Sequence, residues 1–382
     1  MTFNTLFKAS NFIGAWILIA IFTSSSVFSQ EAATEENDLH KRPKNVIFLI
    51  GDGMGLTQVS ASYYFGDGEP NFSRFPVIGL IKTSSSSHKI TDSAAGATSF
   101  ASGIKTYNGA VGVDEHKNSV ATIVEELSSI DYRIGLISTS SITHATPAAF
   151  YAHVSSRDMH EEIARQLMNS EVDIFIGGGS MYFNKRQDGC QLLDSLKHKG
   201  YKVELDELVK KKNLDPDVKH AILLAEDGMP KMVEGRGDFL PASTRLATNY
   251  LNDDGSPFFM VVEGSQIDWG GHANDTEYLV SELIDFDKAI GEAIDFAEKD
   301  GNTLVIVTAD HETGGFTLAS KKVEKINGTM YDDYDQIEGR FSTGGHSATL
   351  IPVFAYGPGS ELFSGVYENT EIYSKLKALL SE

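Results

Sequence analysis

The sequence predicts an α/β fold: a three-layer sandwich with a large, mostly parallel central sheet covered by helices on both faces. Three observations lead there. Apolar runs without alternation, such as Asn45–Ile50 (NVIFLI), Pro257–Glu263 (PFFMVVE) and Thr303–Thr308 (TLVIVT), read as strands buried on both faces. Amphipathic stretches separate them, the longest from Asp275 to Lys299, where Leu279, Leu283, Phe286, Ile290 and Ala293 recur at four-three spacing. Nearly every apolar run ends in a polar cluster, and open parallel sheets bind ligands at the carboxyl ends of their strands.

The remaining elements follow in order. Val77–Thr83 reads as a short strand, Ser119–Ser129 as a helix and Arg133–Thr139 as a strand. Asp158–Ser170 is helical, and Val172–Ile176 is a strand running into three glycines. Cys190–His198 is a helix, Tyr201–Leu205 and Ala221–Ala225 are short strands, and Pro241–Leu251 is a helix. Asn274 with Glu277 forms a capping box for the long helix. Ile351–Tyr356 is the last strand and Glu371–Leu380 the last helix. Length alone suggests two domains. The polar clusters, however, run from Asp52 to His346, so residues 45–382 are expected to be one catalytic domain. Within it, residues 180–256 carry no cluster and read as a scaffold segment. Residues 318–340 read as a small polar surface excursion at a subunit contact.

The chain of 382 residues is 41% hydrophobic and 22% charged, which suits a globular protein with a large core. Residues 1–29 stand apart. Lys8 is their only charge, Phe12–Phe22 is apolar, and Ser24–Ser29 is small and polar, the three parts of a secretory signal cleaved after Ser29. The apolar run is too short to span a bilayer, so no membrane anchor is expected after cleavage. Residues 30–44 read as a polar linker. The protein is thus expected to be exported, periplasmic or secreted. The single cysteine, Cys190, rules out an internal disulfide and leaves the core, with metals, to hold the fold. A net charge of −21 argues against nucleic acid as a partner. An anionic substrate is tolerated only where local positive charge overrides that field.

Five clusters carry the chemistry. Asp52 follows the first run. His144 and Thr146 follow GLISTSS. Glu263, Asp268 and His272 lie in VVEGSQIDWGGH, Asp310 and His311 in VTADHETGG, and His346 precedes the last strand. Carboxylate and imidazole without cysteine suit Zn²⁺, Mn²⁺ or iron, while extra carboxylates and a threonine hydroxyl suit Mg²⁺. Asp268 and His272 share a face if that segment is helical. Asp310 and His311 meet one site only if their strand breaks there. Of the histidines, His272, His311 and His346 are taken as ligands, and His144 as a group near the substrate or behind the ligands. His40, His88, His116, His160, His198 and His220 read as surface or core, and His153 leans structural.

Thr91–Thr98 (TDSAAGAT) is a run of tiny side chains at a predicted helix start. Alone, Asp92 or Ser93 reads as an N-cap. Beside bound metal, Ser93 becomes a hydroxyl nucleophile that needs no histidine base. Arg157 offers a fork of donors for phosphoryl oxygens. Its plainer reading is a salt bridge to Asp158 or Glu161.

These residues lie in motifs that resemble those of the alkaline phosphatase family, specifically its compact bacterial members. The motifs are IGDGMG (50–55), TDSAAGAT (91–98), THATPAA (143–149) with HVSSR (153–157), EGSQIDWGGH (263–272), TADHETGG (308–315) and TGGH (343–346), all in the family's order. The resemblance implies hydrolysis of phosphate monoesters through a phosphoserine on Ser93. It implies one zinc held by Asp268, His272 and His346, and a second by Asp52, Asp310 and His311. A magnesium would be held by Asp52, Thr146 and Glu263. Arg157 would grip the phosphate with Asp92 positioning its guanidinium, in a homodimer acting on small phosphomonoesters. Two positions depart from the best-known enterobacterial pattern. His144 stands where that pattern has an aspartate, and Trp269 where it has a lysine. The expected consequence is altered phosphate affinity and altered preference at the third metal. A phosphodiesterase or nucleotide pyrophosphatase of the same superfamily is expected to lack the Arg157 equivalent and the third-metal ligands. A sulfatase lacks support, because its modification motif is absent around Ser93. A non-enzymatic phosphate- or metal-binding protein leaves the serine at the helix start unexplained.

Overall fold

The computed structural model describes residues 42–210 and 214–380. The signal segment and most of the linker lie outside the described residues. Pro43 onward forms one compact unit. The strands in chain order are β1 (Asn45–Gly51), β2 (Val77–Lys82), β3 (Arg133–Ser141), β4 (Ile174–Gly178), β5 (Lys202–Glu204), β6 (His220–Leu223), β7 (Phe258–Gly264), β8 (Thr303–Thr308), β9 (Glu312–Thr313), β10 (Thr317–Glu324), β11 (Met330–Arg340), β12 (His346–Ser347), β13 (Ile351–Tyr356) and β14 (Gly365–Glu368). Ten of them form the central sheet in the order β14-β2-β13-β8-β1-β7-β3-β4-β6-β5. Within it β13 pairs antiparallel with both neighbours, and the other pairings are parallel.

The register sets the level of the site. Ile50 lies opposite Glu263 on one side and Thr308 on the other, and Ser138 lies opposite Glu263. Asp52 and Asp310 each follow two residues beyond that line, so one sheet edge receives the carboxylates of three adjacent strands. The strands β1, β7 and β8 are buried along their whole length, which is why their sequences are apolar on both faces. Phe48 of β1 packs edge-on against Phe100 at 5.7 Å and Phe150 at 6.2 Å. Burying such a ring stabilises by about 1.5–3 kcal/mol. Phe100 belongs to the helix Ser93–Ser102, so the same contact seats that helix on the sheet.

The helix Thr276–Asp300 buries Leu279, Leu283, Phe286, Ile290 and Ala293 on one stripe, as the four-three spacing requires. Its cap is Asp275, whose side chain accepts from the backbone N–H groups of Glu277 and Tyr278. Asn274, expected as the cap, instead adopts a positive φ of 52° one residue earlier. Two further differences concern the C-terminal part. The polar stretch expected as an excursion is an antiparallel hairpin, β10–β11, separate from the central sheet and with a register shift between Ser320 and Lys321. Beyond the expected last strand, β14 adds a parallel edge to β2. Its residues Gly365 and Val366 are exposed, which leaves no apolar run to mark it.

Candidate active site

The helix Ser93–Ser102 begins where expected, and all of it is buried. Asp92 does two jobs at its start. Oδ1 accepts from Ala95 N–H at 3.1 Å, which caps the helix, and Oδ2 accepts from Gly109 N–H at 3.0 Å and from Arg157 Nη1 at 3.1 Å. Arg157 therefore pairs with Asp92, and not with Asp158 or Glu161. Its Nη2 lies 3.4 Å from His144 Nε2. The tiny side chains allow close approach: a Cβ on Gly96 would sit 2.9 Å from Asp310 Cβ. Ser93, the first helical residue, places Oγ 3.4 Å from Asp52 Oδ1 and 3.3 Å from His311 Nε2.

Three groups of potential ligands converge around that hydroxyl. Asp52, Asp310 and His311 form one, all fully buried. The chain does break after β8, so both Asp310 and His311 reach it. His311 Nε2 lies 3.5 Å from Asp52 Oδ1 and 3.2 Å from Asp310 Oδ2. Asp268, His272 and His346 form the second. The helix Gln266–His272 runs through the Gly-Gly pair and puts Asp268 and His272 on one face. His272 and His346 approach Asp268 Oδ1 at 3.4 and 3.7 Å. Asp52, His144 and Glu263 form the third. Thr146 lies beside Glu263 with its hydroxyl buried and unpaired. His144 thus stands with a potential ligand set as well as beside Arg157. Trp269 meets the His144 ring edge-on at 6.0 Å.

The hydrogen bonds fix which ring nitrogens face inward. His272 Nδ1 meets Gly344 O at 2.8 Å and His346 Nδ1 meets Thr91 O at 2.9 Å. A carbonyl only accepts, so each Nδ1 carries a proton, and in the neutral ring Nε2 is bare. Thr313 Oγ1 lies 2.5 Å from Asp268 Oδ1 and 3.2 Å from His311 Nδ1. The carboxylate takes the hydroxyl proton, so the hydroxyl oxygen accepts from His311 Nδ1–H and leaves its Nε2 bare too. His272 Nε2 and His346 Nε2 face each other at 3.2 Å. The carboxylates are prepared in the same way. Glu263 Oε2 takes hydroxyls from Ser138 at 2.5 Å, Ser265 at 2.6 Å and Ser140 at 3.3 Å. Its Oε1, with Asp52 Oδ2 and Asp310 Oδ2, is buried without a hydrogen bond. Converging lone pairs and orphaned buried carboxylate oxygens are what a cation site needs, and the donor set fits metal. Thr313, Ser138 and Ser265 were not singled out from the sequence. The run Ser138–Ser141 inside an otherwise apolar strand was the one available signal.

The protonation equilibria reflect the crowding. Burial, then Asp310, Asp268 and Glu263, push the Asp52 carboxyl well up, while Arg157 draws it down. Burial also raises Glu263, against the hydroxyls of Ser138 and Ser265. It raises Asp310, against the N–H of Gly53. His311 is pushed down to about 3 by burial and His346, and His144 to about 3 by burial, Arg157 and His160. Both imidazoles are therefore neutral, the form that binds metal. The other histidines have local roles. His153 bridges Gly112 O at 2.7 Å and Glu125 at 2.9 Å, and His160 stacks on Tyr182 at 4.5 Å. His220 is buried against Asp215 O.

A mostly parallel sheet whose strand ends gather bare carboxylates, neutral imidazoles, a helix-start hydroxyl and a guanidinium defines a metal-dependent hydrolase of phosphate esters. The family model described as alkaline phosphatase matches residues 43–334. Alkaline phosphatase 3 of Bacillus subtilis is 35% identical, with 93% of this chain and 93% of that protein covered. The solved alkaline phosphatase of the Antarctic bacterium TAB5 is 54% identical at a TM-score of 0.87, covering 89% of this chain and 98% of that one. A mutant of it, with aspartate in place of a histidine and magnesium bound in the M3 site, is 55% identical at 0.88, with the same coverage. The chain belongs to the alkaline phosphatase family, and it is a metal-dependent enzyme that hydrolyses phosphate monoesters.

Proposed function

We propose that Ser93 is the nucleophile and that hydrolysis passes through a phosphoserine. The observation that carries this reading is the place of Ser93 Oγ, at a helix N-terminus and within 3.4 Å of Asp52 Oδ1 and His311 Nε2. In the first step Oγ bonds to phosphorus, the bond from phosphorus to the alcohol oxygen breaks, and the serine proton ends on the departing alcohol. In the second, water bonds to phosphorus, the bond to Oγ breaks, and serine regains a proton as phosphate leaves. Arg157 presents two parallel donors to phosphoryl oxygens, and its contact with Asp92 fixes their direction. The helix N-terminus adds backbone N–H groups and a favourable dipole for the same anion.

Asp268, His272 and His346 would hold one zinc, and Asp52, Asp310 and His311 a second. Asp52, Glu263 and Thr146 would hold a magnesium, with His144 in reach of that set. Bound there, the metals would make hydroxyl and water more acidic and would offset the four carboxylates so that a phosphate dianion is accepted. Replacing Ser93 by Ala is expected to lower kcat on a phosphomonoester at least about a thousandfold while metal content stays as in the wild type. Near-normal turnover would remove serine from the mechanism.

The protein would be exported after cleavage near Ser29 and would act as a homodimer. The three-part N-terminal pattern supports export, and no helix among the described residues is long and apolar enough to cross a membrane. The hairpin β10–β11, with Tyr334 and Ile326 exposed, supports a contact with a second copy. The mature N-terminus by mass spectrometry and the mass in solution by light scattering check both. Residues 1–29 retained, or a monomer, would reverse the respective statement.

A further inference from the structure

The segment 226–237 lies in the part of the chain that carries no ligand cluster, yet it touches the site. A Cβ on Gly228 would sit 2.8 Å from Trp269 Cη2 and 3.1 Å from Cζ3. The backbone there is thus pressed against the Cη2–Cζ3 edge of the indole, whose ring also meets the His144 ring at 6.0 Å. The segment is tightly pinned. Met229 N–H donates to Thr139 O at 3.0 Å, and Gln266 Nε2 donates to Met229 O at 2.7 Å. Tyr278 OH in turn holds Gln266 Oε1 at 2.7 Å. At the far end Arg236 is buried, with Nη2 2.5 Å from Glu282 and 2.7 Å from Asp285 of the long helix, and Nη1 3.2 Å from Pro230 O. Met232 N–H also donates to Glu282 at 2.8 Å. An exposed loop does not need a fully buried ion triad. A backbone that must hold a ring in place does.

We propose that residues 226–237 are a brace that fixes the Trp269 indole against His144 and thereby sets how tightly Arg157 holds phosphate. Gly228 is the contact point and Arg236 the anchor, and both are positioning residues. The inference rests on Arg157 being the phosphate grip. The path is short: Gly228 bounds Trp269, Trp269 bounds the His144 ring, and His144 Nε2 lies 3.4 Å from Arg157 Nη2. The glycine is required here by space, since its backbone is not among those with positive φ.

The test uses the metal-loaded protein, in which Trp269 is the only tryptophan once residues 1–29 are removed. Gly228→Ala must drive the indole back by about half an ångström to reach ordinary contact. KM for a phosphomonoester and the inhibition constant of inorganic phosphate are expected to rise together, about three- to tenfold, without a fall in kcat. The Trp269 emission maximum is expected to move. A phenyl ring lacks Cη2 and Cζ3, so in a Trp269→Phe background Gly228→Ala should add nothing further to KM. Unchanged emission and KM in Gly228→Ala, or an equal rise in both backgrounds, would overturn the brace. Should Gly228→Ala fail to fold, Arg236→Lys serves instead, because one ammonium cannot span both carboxylates and Pro230 O. It is expected to raise acrylamide quenching of Trp269 together with KM, and unchanged quenching would overturn the proposal equally. Arg157→Ala separates the two readings. Unaltered phosphate inhibition in that variant removes Arg157 as the grip, while the emission data still decide whether the brace holds the ring.

Discussion

Two groups of buried carboxylates in this molecule meet opposite fates. The Glu282 and Asp285 side chains are at most 2% exposed and share a cation from their own chain, the Arg236 side chain, itself 1% exposed. Burial raises both carboxyls, and Arg236 is the main influence holding them down. Asp52, Glu263 and Asp310 are just as buried, but each leaves one oxygen with no hydrogen-bond partner. The positive side chain closest in effect, Arg157, is paired with Asp92 instead. Removing one partner of a buried pair costs several kcal/mol, so a fold does not leave three such oxygens bare without a use for them. Where acids brace the structure, the chain supplies the counter-ion. Where acids gather at the strand ends, the proposed metals would take the place of that counter-ion.

The sharpest way to break this contrast is to remove the metals. Dialysis against a chelator is expected to abolish phosphomonoesterase activity and to lower the melting temperature by several degrees. Each site filled at a hundred times its Kd contributes about 2.7 kcal/mol to the folded state. Hydrogen exchange localises the effect. Protection should fall around Asp52, Ser93, Asp268–His272 and Asp310–Thr313, and should persist through residues 226–237, which carry their own cation. Full activity after metal removal, or uniform loosening of both regions, would dissolve the distinction.

The same contrast explains what was legible in the sequence. Buried strands announce themselves because Val, Ile, Leu and Phe must be continuous there, and Asp or His at their ends stands out against that background. The strand-end residues converge because adjacent parallel strands share a register, as Ile50, Glu263 and Thr308 do. Thr313, Ser138 and Ser265 were illegible because hydroxyls are common everywhere, and their meaning lies in a partner brought by another element. Gly228 was invisible for a stronger reason: it contributes only the absence of a side chain, next to a ring from a different strand end. Asp92 was read as one thing or the other, cap or partner of Arg157. A carboxylate has two oxygens, and here each takes one role.

Charge neutralisation gives the finest test, because the two groups should respond with opposite sign once the metals are gone. Glu282→Gln removes one partner of Arg236 and is expected to destabilise by about 3 kcal/mol, with or without metal. Asp310→Asn is different. Its Oδ1 accepts from Gly53 N–H at 3.2 Å and His311 N–H at 3.0 Å, and an amide oxygen can keep both bonds. What disappears is a buried charge, or the free energy of neutralising it, beside Asp52. The metal-free variant is therefore expected to be about 1–2 kcal/mol more stable than the metal-free parent, whereas the metal-saturated variant, short of a proposed ligand, is expected to be less stable than its own parent. Paired thermal melts in chelator and in saturating zinc read this directly. If Asp310→Asn destabilises the metal-free protein as Glu282→Gln does, then Asp310 braces the fold like Glu282, and the bare oxygens are not a place kept for metal.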